Sequence, residues 1–243
     1  MRGLVIGAGN MGQRHGRILT DLGDHIVYVD LGFDPQTFAA WGAYDYILLC
    51  TPPETHNDIF NRLPNLPVFI EKPVCVGPWF VPASQHLPRT APTMVACNWR
   101  YCTCAKPEGA LVWSYPSHGN PHYYLDLIHA YDWFCEVYKT EAEADYEEVQ
   151  KGAIRRLKML DKTGKLIFCA SLVDDSDLRT FYATDPSRIK VLHAPDYYCR
   201  MFLMQMRVWR MVVRGDIPSP NPLATAMART LKLITWKQAL KQP

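Results

Sequence analysis

The feature that most constrains the fold is an apolar run that breaks into closely spaced glycines and then continues at helical spacing. The run at 2–6 is followed directly by Gly7, Gly9 and Gly12, and the helical spacing extends over 11–22. This order predicts a buried strand, a tight turn and a helix. It is typical of a nucleotide-binding turn and also of an ordinary strand–helix connection, so the rest of the chain has to distinguish the two.

Up to residue 104, predicted strands alternate with helical or irregular connections. A double proline after the third apolar run bars a helix from continuing directly out of that strand. The alternation predicts a parallel, doubly wound sheet in an N-terminal α/β domain over 1–104, of the Rossmann class. The predicted strands are 26–30, 46–51, 66–73 and 93–101, and the predicted helices are 35–41 and 56–63.

Beyond residue 104 the pattern changes, because predicted strands follow one another. Residues 161–164, Asp-Lys-Thr-Gly, have the composition of a hairpin turn. The pattern predicts a smaller α+β domain over 105–220, followed by a last helical segment over 221–243. The predicted strands are 109–115, 153–160, 165–172, 178–184 and 189–194, and the predicted helices are 123–138, 197–213 and 221–240.

The composition is that of an ordinary globular protein and excludes several classes of partner. It is 48% hydrophobic and 21% charged with a formal net charge of +2, so neither nucleic acid nor an anionic membrane surface is expected to bind. The apolar runs are shorter than a membrane span. Glycines also interrupt the N-terminal run where a signal peptide needs apolar residues.

The eight cysteines suggest no disulfide framework, which predicts a reducing compartment and a cytoplasmic protein. Cys97, Cys102 and Cys104 lie close in sequence, but their spacing matches no paired zinc motif and the sequence offers no second half-site. We therefore expect thiols here and no metal site.

The glycine spacing and a later acid point to a dinucleotide. Gly7 permits the tight turn, Gly9 lets the backbone approach a pyrophosphate, and Gly12 allows the helix to pack closely on the strand. Asp30 follows the second strand, near the ~20-residue distance at which a carboxylate accepts hydrogen bonds from ribose hydroxyls. A carboxylate repels a 2′-phosphate, which favours NAD and leaves NADP as an option. The alternative for Asp30 is a solvated acid at a strand end.

Polar segments also lie at the carboxyl ends of the third, fourth and fifth predicted strands, at 50–56, 71–73 and 98–101. The carboxyl ends of strands are where open α/β sheets bind ligands. A lysine at such a position, Lys72, can donate a hydrogen bond to a carbonyl or hydroxyl oxygen of a substrate. Alone, the Glu-Lys-Pro triplet is more typical of an ordinary surface.

A third pattern lies on the predicted helix 123–138. Asp126 and His129 are three residues apart and share a helical face. A histidine beside a carboxylate suits general acid/base chemistry, with His129 accepting the proton of a hydroxyl group. The alternative is a polar helix face opposite a core-facing Trp133.

Five segments, in their order and spacing, resemble the glucose–fructose oxidoreductase / inositol dehydrogenase / MocA family. The resemblance runs from Arg2 to Asp132 and resumes more weakly at 215–234. It implies a Rossmann domain and an open, mainly antiparallel sheet with substrate on one face and dimer contacts on the other. It also implies that the last helix packs back on the nucleotide domain. The five segments are GAGNMGQRH, CTPPETH, EKPV, NWRY and DLIHAYD.

The resemblance also assigns roles to individual positions. Lys72 is implied as the lysine of the active centre, with a cis bond to Pro73 as an option, and Asp126 and His129 are implied as the catalytic pair. The residues implied to contact the cofactor are Gly7, Gly9, Asn10, Met11, Gly12, Asp30, Thr51, Pro52, Pro53, His56, Glu71 and Lys72. Those implied to contact the substrate are Asn98, Arg100, Tyr101, Asp126 and His129.

The chain departs from the family pattern in several places. There is room for only a short helix after Asp30, so a helix–strand unit of the family is expected to be missing. Asp126 and His129 have the less common i, i+3 spacing, and residues 116–124 lack the family's double glycine. The second domain is expected to be trimmed, with a more open pocket or one completed by a partner subunit. His15 extends the glycine signature and is expected to serve local packing.

These observations favour an NAD- or NADP-dependent oxidoreductase that transfers a hydride to or from a hydroxyl or ketone carbon of a sugar, cyclitol or nucleotide-sugar. Two alternatives stay open. One is a reductase of a linear tetrapyrrole or an imine, and the other is a non-catalytic dinucleotide-binding sensor or partner protein. The resemblance also implies a homo-oligomer, such as a dimer. The aromatic residues that could serve a flat ligand are Trp99, Tyr101, Tyr123, Tyr124 and Trp133.

Overall fold

The chain divides into two compact units, each discontinuous in sequence. Unit 1 comprises Met1–Cys97 and Phe202–Ala228, and unit 2 comprises Asn98–Met201 and Arg229–Pro243. Residues 202–220, which the sequence placed in the second domain, thus belong to unit 1. The computed structural model describes residues 1–243 except 31, 36–37, 78–88, 102–108, 115–121, 140–142, 150, 161–162, 175–180, 186–187, 193 and 240–243.

Unit 1 contains a five-stranded parallel sheet, as predicted. Its strand order is β2-β1-β3-β4-β5, and every neighbouring pair is parallel. The two strands β3 and β4 are buried along their whole length, which explains why they are continuous apolar runs. The strands are β1 (Arg2–Ile6), β2 (His25–Val29), β3 (Tyr46–Leu49), β4 (Val68–Ile70) and β5 (Thr93–Val95).

Two helices connect these strands, α1 (Asn10–Asp21) after β1 and α2 (Pro53–Arg62) after β3. The residues of α1 that are buried follow one another at i, i+3, i+4 and i+7, so a single face of the helix packs on the unit. Proline at the first position of α2 is compatible with helix initiation, because no intrahelical partner is needed for that nitrogen. The buried residues of α1 are Gly12, His15, Gly16 and Leu19.

The sequence led us to expect that a helix–strand unit is missing after β2, and the residues described between β2 and β3 contain no such unit. A complete sheet of this class has the strand order 3-2-1-4-5-6, whereas the order here corresponds to that sheet without its strand 3, which leaves β2 at the edge. The helix predicted over 35–41 is wrong, since the described residues there form turns and a 3₁₀ turn at Trp41–Ala43. The rings of Phe33, Phe38 and Trp41 pack edge-to-face instead, with centroids 4.9 to 5.9 Å apart. These partly exposed rings thus pack on one another although the described residues around them form no α-helix.

Unit 2 contains a six-stranded sheet that is mainly antiparallel, as predicted. Its order is β11-β10-β6-β9-β8-β7, with β6 and β9 as the parallel pair. Strands β8 and β9 are antiparallel, and Gly164 of the turn predicted between them has φ of +80°, while residues 161–162 of that turn lie outside the described residues. The strands are β6 (Gly109–Ser114), β7 (Glu143–Val149), β8 (Ile154–Leu160), β9 (Leu166–Val173), β10 (Phe181–Asp185) and β11 (Arg188–Leu192).

Strand β7 was not predicted. It is strongly acidic, yet Ala144 and Tyr146 are buried whereas Asp145 is exposed. This alternation with a period of two is the signal of a half-buried strand, and the charged residues obscured it.

The structure describes three further helices. A 3₁₀ turn at Tyr123–Leu127 leads directly into α3 (Ile128–Tyr138), and α4 (Ala194–Arg214) and α5 (Leu223–Ala239) follow the second sheet. At the start of α5, the Asn221 carbonyl oxygen accepts a hydrogen bond from the Val95 N–H, so the chain covers part of the edge strand β5. Of the helices that the structure describes, none combines the length and the apolar character of a membrane span.

Candidate functional site

The glycine turn after β1 is closely packed at two of its three glycines. Gly7 has φ of +97°, and a Cβ atom there would lie 2.7 Å from the Cys50 carbonyl carbon and the Thr51 nitrogen. A Cβ atom on Gly12 would lie 2.0 Å from the Gly7 carbonyl oxygen. Both positions therefore require glycine so that α1 can pack on the ends of β1 and β3.

Gly9 differs from the other two. It precedes α1 with an ordinary φ of −68°, and a Cβ atom there would meet no atom of the described residues within 4 Å. No side chain caps the N-terminus of α1, and its first turn has no acidic residue. The packing of the protein thus gives no reason for glycine at this position, whereas an anion bound to the helix N-terminus would use the space.

Asp30 and Thr51 lie on either side of this turn. The Val29 carbonyl oxygen accepts a hydrogen bond of 2.9 Å from the Gly7 N–H, and Asp30 comes next in the chain with an exposed side chain. On the other side, Thr51 follows β3 and its hydroxyl accepts a hydrogen bond of 2.7 Å from Thr55. The ends of β2, β1 and β3 therefore meet at one edge of the sheet, where ligands bind in this architecture.

The structure places His56 inside this edge. Its ring has 0% exposure, and Nε2 and Nδ1 lie 2.8 and 3.3 Å from the carbonyl oxygens of Thr51 and Val74. Burial lowers the pKa of His56, even though both carbonyl hydrogen bonds favour the protonated form. The predicted contact between His56 and a cofactor stays a prediction, and the contacts observed are those of a ring that ties two loops together.

Glu71 and Lys72 follow β4, where the sheet hydrogen bonding continues through the Glu71 N–H to the Leu49 carbonyl oxygen. The buried Glu71 carboxylate uses both oxygens: Oε1 lies 2.5 Å from His15 Nε2, and Oε2 accepts the Lys72 N–H at 3.0 Å. Burial would raise the pKa of Glu71, but the hydrogen bond and charge of His15, together with Lys72, hold that pKa below its ordinary value. The Lys72–Pro73 bond is cis, as the resemblance allowed.

The predicted substrate residues of unit 2 begin with a 3₁₀ turn at Asn98–Tyr101. Asn98 is buried and Tyr101 is partly exposed. The Arg100 guanidinium group forms a bidentate pair with Asp132, with 2.6 Å from Nε to Oδ2, and also lies 3.1 Å from a Glu136 oxygen.

Arg229 of α5 joins the same cluster. Its NH1 atom lies 2.6 Å from Asp132 Oδ1 and 3.3 Å from Glu136 Oε1. Both arginine side chains are buried, with 6% and 8% exposure. A substrate contact by Arg100 stays a prediction, and the interactions observed are those of a buried ion-pair network within unit 2.

Asp126 and His129 lie on consecutive turns. Asp126 belongs to the 3₁₀ turn before α3, in which side chains three residues apart eclipse one another, and His129 is the second residue of α3. Both side chains are partly exposed. The His129 ring stacks on Trp99 with centroids 5.2 Å apart and an interplanar angle of 13°. Trp133 is buried against Trp99, so a core-facing tryptophan and a polar pair occupy the same helix.

No family model and no curated protein matches this sequence, but solved structures do. A putative myo-inositol dehydrogenase from Sinorhizobium meliloti is similar with a TM-score of 0.74 and 16% identity, over 100% of this chain and 98% of that chain. A scyllo-inositol dehydrogenase from Lactobacillus casei, with bound NAD(H) and scyllo-inositol, has a TM-score of 0.68 and 12% identity, over 98% and 96%. A biliverdin reductase from Synechocystis, in complex with biliverdin and NADP+, has a TM-score of 0.63 and 12% identity, over 98% of each chain.

The chain has the fold of these dehydrogenases. The predicted likeness to the glucose–fructose oxidoreductase / inositol dehydrogenase / MocA family is thus confirmed at the level of the fold. Within this dehydrogenase fold the strand ends of unit 1 present a glycine turn, an acid and a lysine in the predicted order. In the sheet that the structure describes, β2 is an edge strand, so Asp30 follows an edge strand.

Three cysteines raised the question of a zinc site. Among the residues that the structure describes, no group of three or more His, Cys, Asp or Glu side chains is arranged to hold a metal ion. Cys97 is a buried thiol that is not joined in a disulfide. Cys102 and Cys104, which prompted the zinc question, lie outside the described residues.

Proposed function

We propose that the protein is an oxidoreductase that uses NAD, or alternatively NADP, and acts on a hydroxyl or ketone carbon of a sugar, cyclitol or nucleotide-sugar. The observation that carries this proposal is that a Cβ atom at Gly9, beside the uncapped N-terminus of α1, would meet no described atom within 4 Å. A pyrophosphate fits this place by charge and by space. When bound, the nicotinamide supplies or accepts the hydride.

The chain's own residues account for cofactor binding. The turn at Gly9, with Asn10 and Met11 in the first turn of α1, would hold the pyrophosphate through backbone N–H groups. The exposed Asp30 carboxylate would accept hydrogen bonds from ribose hydroxyls. Because the same carboxylate repels a 2′-phosphate, NAD is expected to bind more tightly than NADP.

Each proposed catalytic residue has a distinct task. The Lys72 ammonium group would donate a hydrogen bond to the reacting oxygen and stabilise the negative charge that develops on it. His129 would accept the hydroxyl proton in the oxidative direction and return it in the reductive one. Asp126 would orient either the substrate or the His129 ring.

The similar structures bear on the substrate class. Two of the three are named as inositol dehydrogenases, which supports a polyhydroxylated ring as substrate. The likeness to a biliverdin reductase favours the second candidate, reduction of a linear tetrapyrrole, but its TM-score is the lowest of the three.

Location and assembly are part of the proposal as well. We propose a cytoplasmic protein, because five cysteines in the described part of the chain are thiols that are not joined in a disulfide. They are Cys50, Cys75, Cys97, Cys135 and Cys169. A dimer is proposed from the family resemblance.

The proposal is tested by a turnover panel on the purified chain. Sugars, cyclitols and nucleotide-sugars are tested with NAD+ and with NADP+. The corresponding ketones and a linear tetrapyrrole are tested with the reduced nucleotides. In both assays the absorbance of the nicotinamide is followed. We expect turnover with a hydroxylated substrate and a preference for NAD+. Turnover of the tetrapyrrole alone would favour the second candidate, and nucleotide binding without turnover of any compound would favour a sensor.

A further inference from the structure

We propose that His15 and His56 are positioning residues that hold the segment Glu71–Val74, and with it the backbone of Lys72, between the two loops of the proposed dinucleotide site. This inference rests on the proposed function for its effect on turnover. The tether itself is a property of unit 1 and can be measured without any substrate.

The first tether starts from α1, the helix that begins at the glycine turn. His15 has 0% exposure, and its ring is held edge-on by the rings of Phe69 and Phe202 at 5.1 and 5.5 Å. Its Nε2–H can therefore donate in only one direction, to Glu71 Oε1 at 2.5 Å. The second oxygen of the same carboxylate accepts the Lys72 N–H. The carboxylate thus links the cofactor-binding helix to the backbone of the lysine.

The second tether starts from α2. The His56 ring lies between the Thr51 carbonyl oxygen, in the loop after β3, and the Val74 carbonyl oxygen, just beyond Lys72 and Pro73. A neutral imidazole has one N–H, so it donates to one carbonyl oxygen at a time. In the tautomer that carries the proton on Nδ1, His56 donates to the Val74 carbonyl oxygen and so holds the last residue of the segment that carries Lys72, while His15 holds its first residue.

The electrostatics of Glu71 make the first tether measurable. The groups that lower the pKa of this carboxyl group are His15 from α1 and the adjoining Lys72, and the carboxylate in turn raises the pKa of Cys50 at the end of β3 and favours the protonated form of His56 from α2. Burial alone would raise its pKa, and His15 is the strongest of the groups that oppose this. Without His15, the carboxyl group should protonate at a higher pH than in the wild type.

The experiment compares His15→Phe, Glu71→Gln and the double variant with the wild-type chain. We expect kcat to fall ~10- to 100-fold in His15→Phe, because a displacement of about 1 Å at a reacting group costs this much, with NAD+ affinity nearly unchanged. His15→Gln, which keeps a donor, should recover most of the loss. In His15→Phe, kcat should fall as the pH is lowered, because Glu71 then becomes protonated. The double variant has no carboxyl group at position 71 and should not show this acidic limb.

A second measurement does not depend on activity. Hydrogen exchange at the Lys72 amide, followed by NMR or by mass spectrometry of its peptide, should be slow in the wild type and faster in His15→Phe and His56→Leu. Exchange that is equally slow in both variants would overturn the tether. If wild-type turnover were absent, the proposed function would fail while this readout still tested the positioning.

The kinetic measurements can also contradict the inference. A drop in kcat that is matched by a drop in melting temperature and NAD+ affinity, without recovery in His15→Gln, would indicate a merely structural role and would overturn the inference. So would a pH profile of His15→Phe with no new acidic limb.

Discussion

Replacing Lys72 with alanine is expected to lower kcat by about 10²- to 10⁴-fold, the range in which a positioned donor contributes to proton and charge transfer. NAD+ affinity should change little, because Lys72 is only one of the implied cofactor contacts and those proposed to hold the pyrophosphate and the ribose lie at the glycine turn and at Asp30. The reason for the large effect is that developing charge on the reacting oxygen would lose its ammonium partner. Lys72→Arg keeps the charge but not the compact geometry, so it should restore only part of the activity.

The measurement is a comparison of kcat and of the calorimetric affinity for NAD+ in the three proteins. Lys165→Ala serves as the control, since Lys165 is exposed beside the turn between β8 and β9. Lys72→Ala with wild-type kcat would remove Lys72 from the mechanism. A lost NAD+ affinity with unchanged kcat at saturation would instead assign it to nucleotide binding.

The second large effect concerns stability and lies in unit 2. Asp132→Ala is expected to lower the free energy of unfolding by about 3–5 kcal/mol, because it leaves buried arginine charge uncompensated. Asp132 is 1% exposed and contacts both Arg100 and Arg229, so its loss leaves Glu136 as the carboxylate that faces both guanidinium groups. Asp132→Asn should be less severe, since the amide keeps one acceptor oxygen in place.

Chemical denaturation of these variants tests the network, with Asp58→Ala as the matched control. Asp58 also pairs with an arginine, Arg62, but its side chain is 72% exposed. Exposed i, i+4 pairs contribute only ~0.3–0.5 kcal/mol, so the control should be close to wild type. If Asp132→Ala were as mild as the control, the buried network would not stabilise unit 2 as argued.

Local patterns in the sequence predicted most of the fold. Strands β3 and β4 are continuous apolar runs, and the glycine turn marks the start of α1, so both were recognisable without tertiary information. The helix predicted at 35–41 failed because Phe33, Phe38 and Trp41 pack on one another, which is a tertiary preference. Strand β7 was missed because its buried Ala144 and Tyr146 are surrounded by acids.

The site was less predictable where it depends on pairs far apart in sequence. Gly9 and Asp30 could be proposed from spacing alone. By contrast, His15 and Glu71 are 56 positions apart, and Asp132 is 97 positions from Arg229. No local pattern joins such partners, so His15 was expected only to pack locally. The positioning role that we propose for His15 and His56 rests on contacts that only the three-dimensional structure shows.

The central claim is that the open space at Gly9 receives a dinucleotide, and a calorimetric titration of NAD+ tests it most directly. The titration compares wild type with Gly9→Val and with Gly42→Val, because a Cβ atom at either glycine meets nothing within 4 Å and neither has a positive φ. We predict that the wild type and Gly42→Val bind NAD+ alike, while Gly9→Val loses binding and keeps its melting temperature. Equal NAD+ affinity in all three proteins, or no binding by the wild type, would contradict the claim.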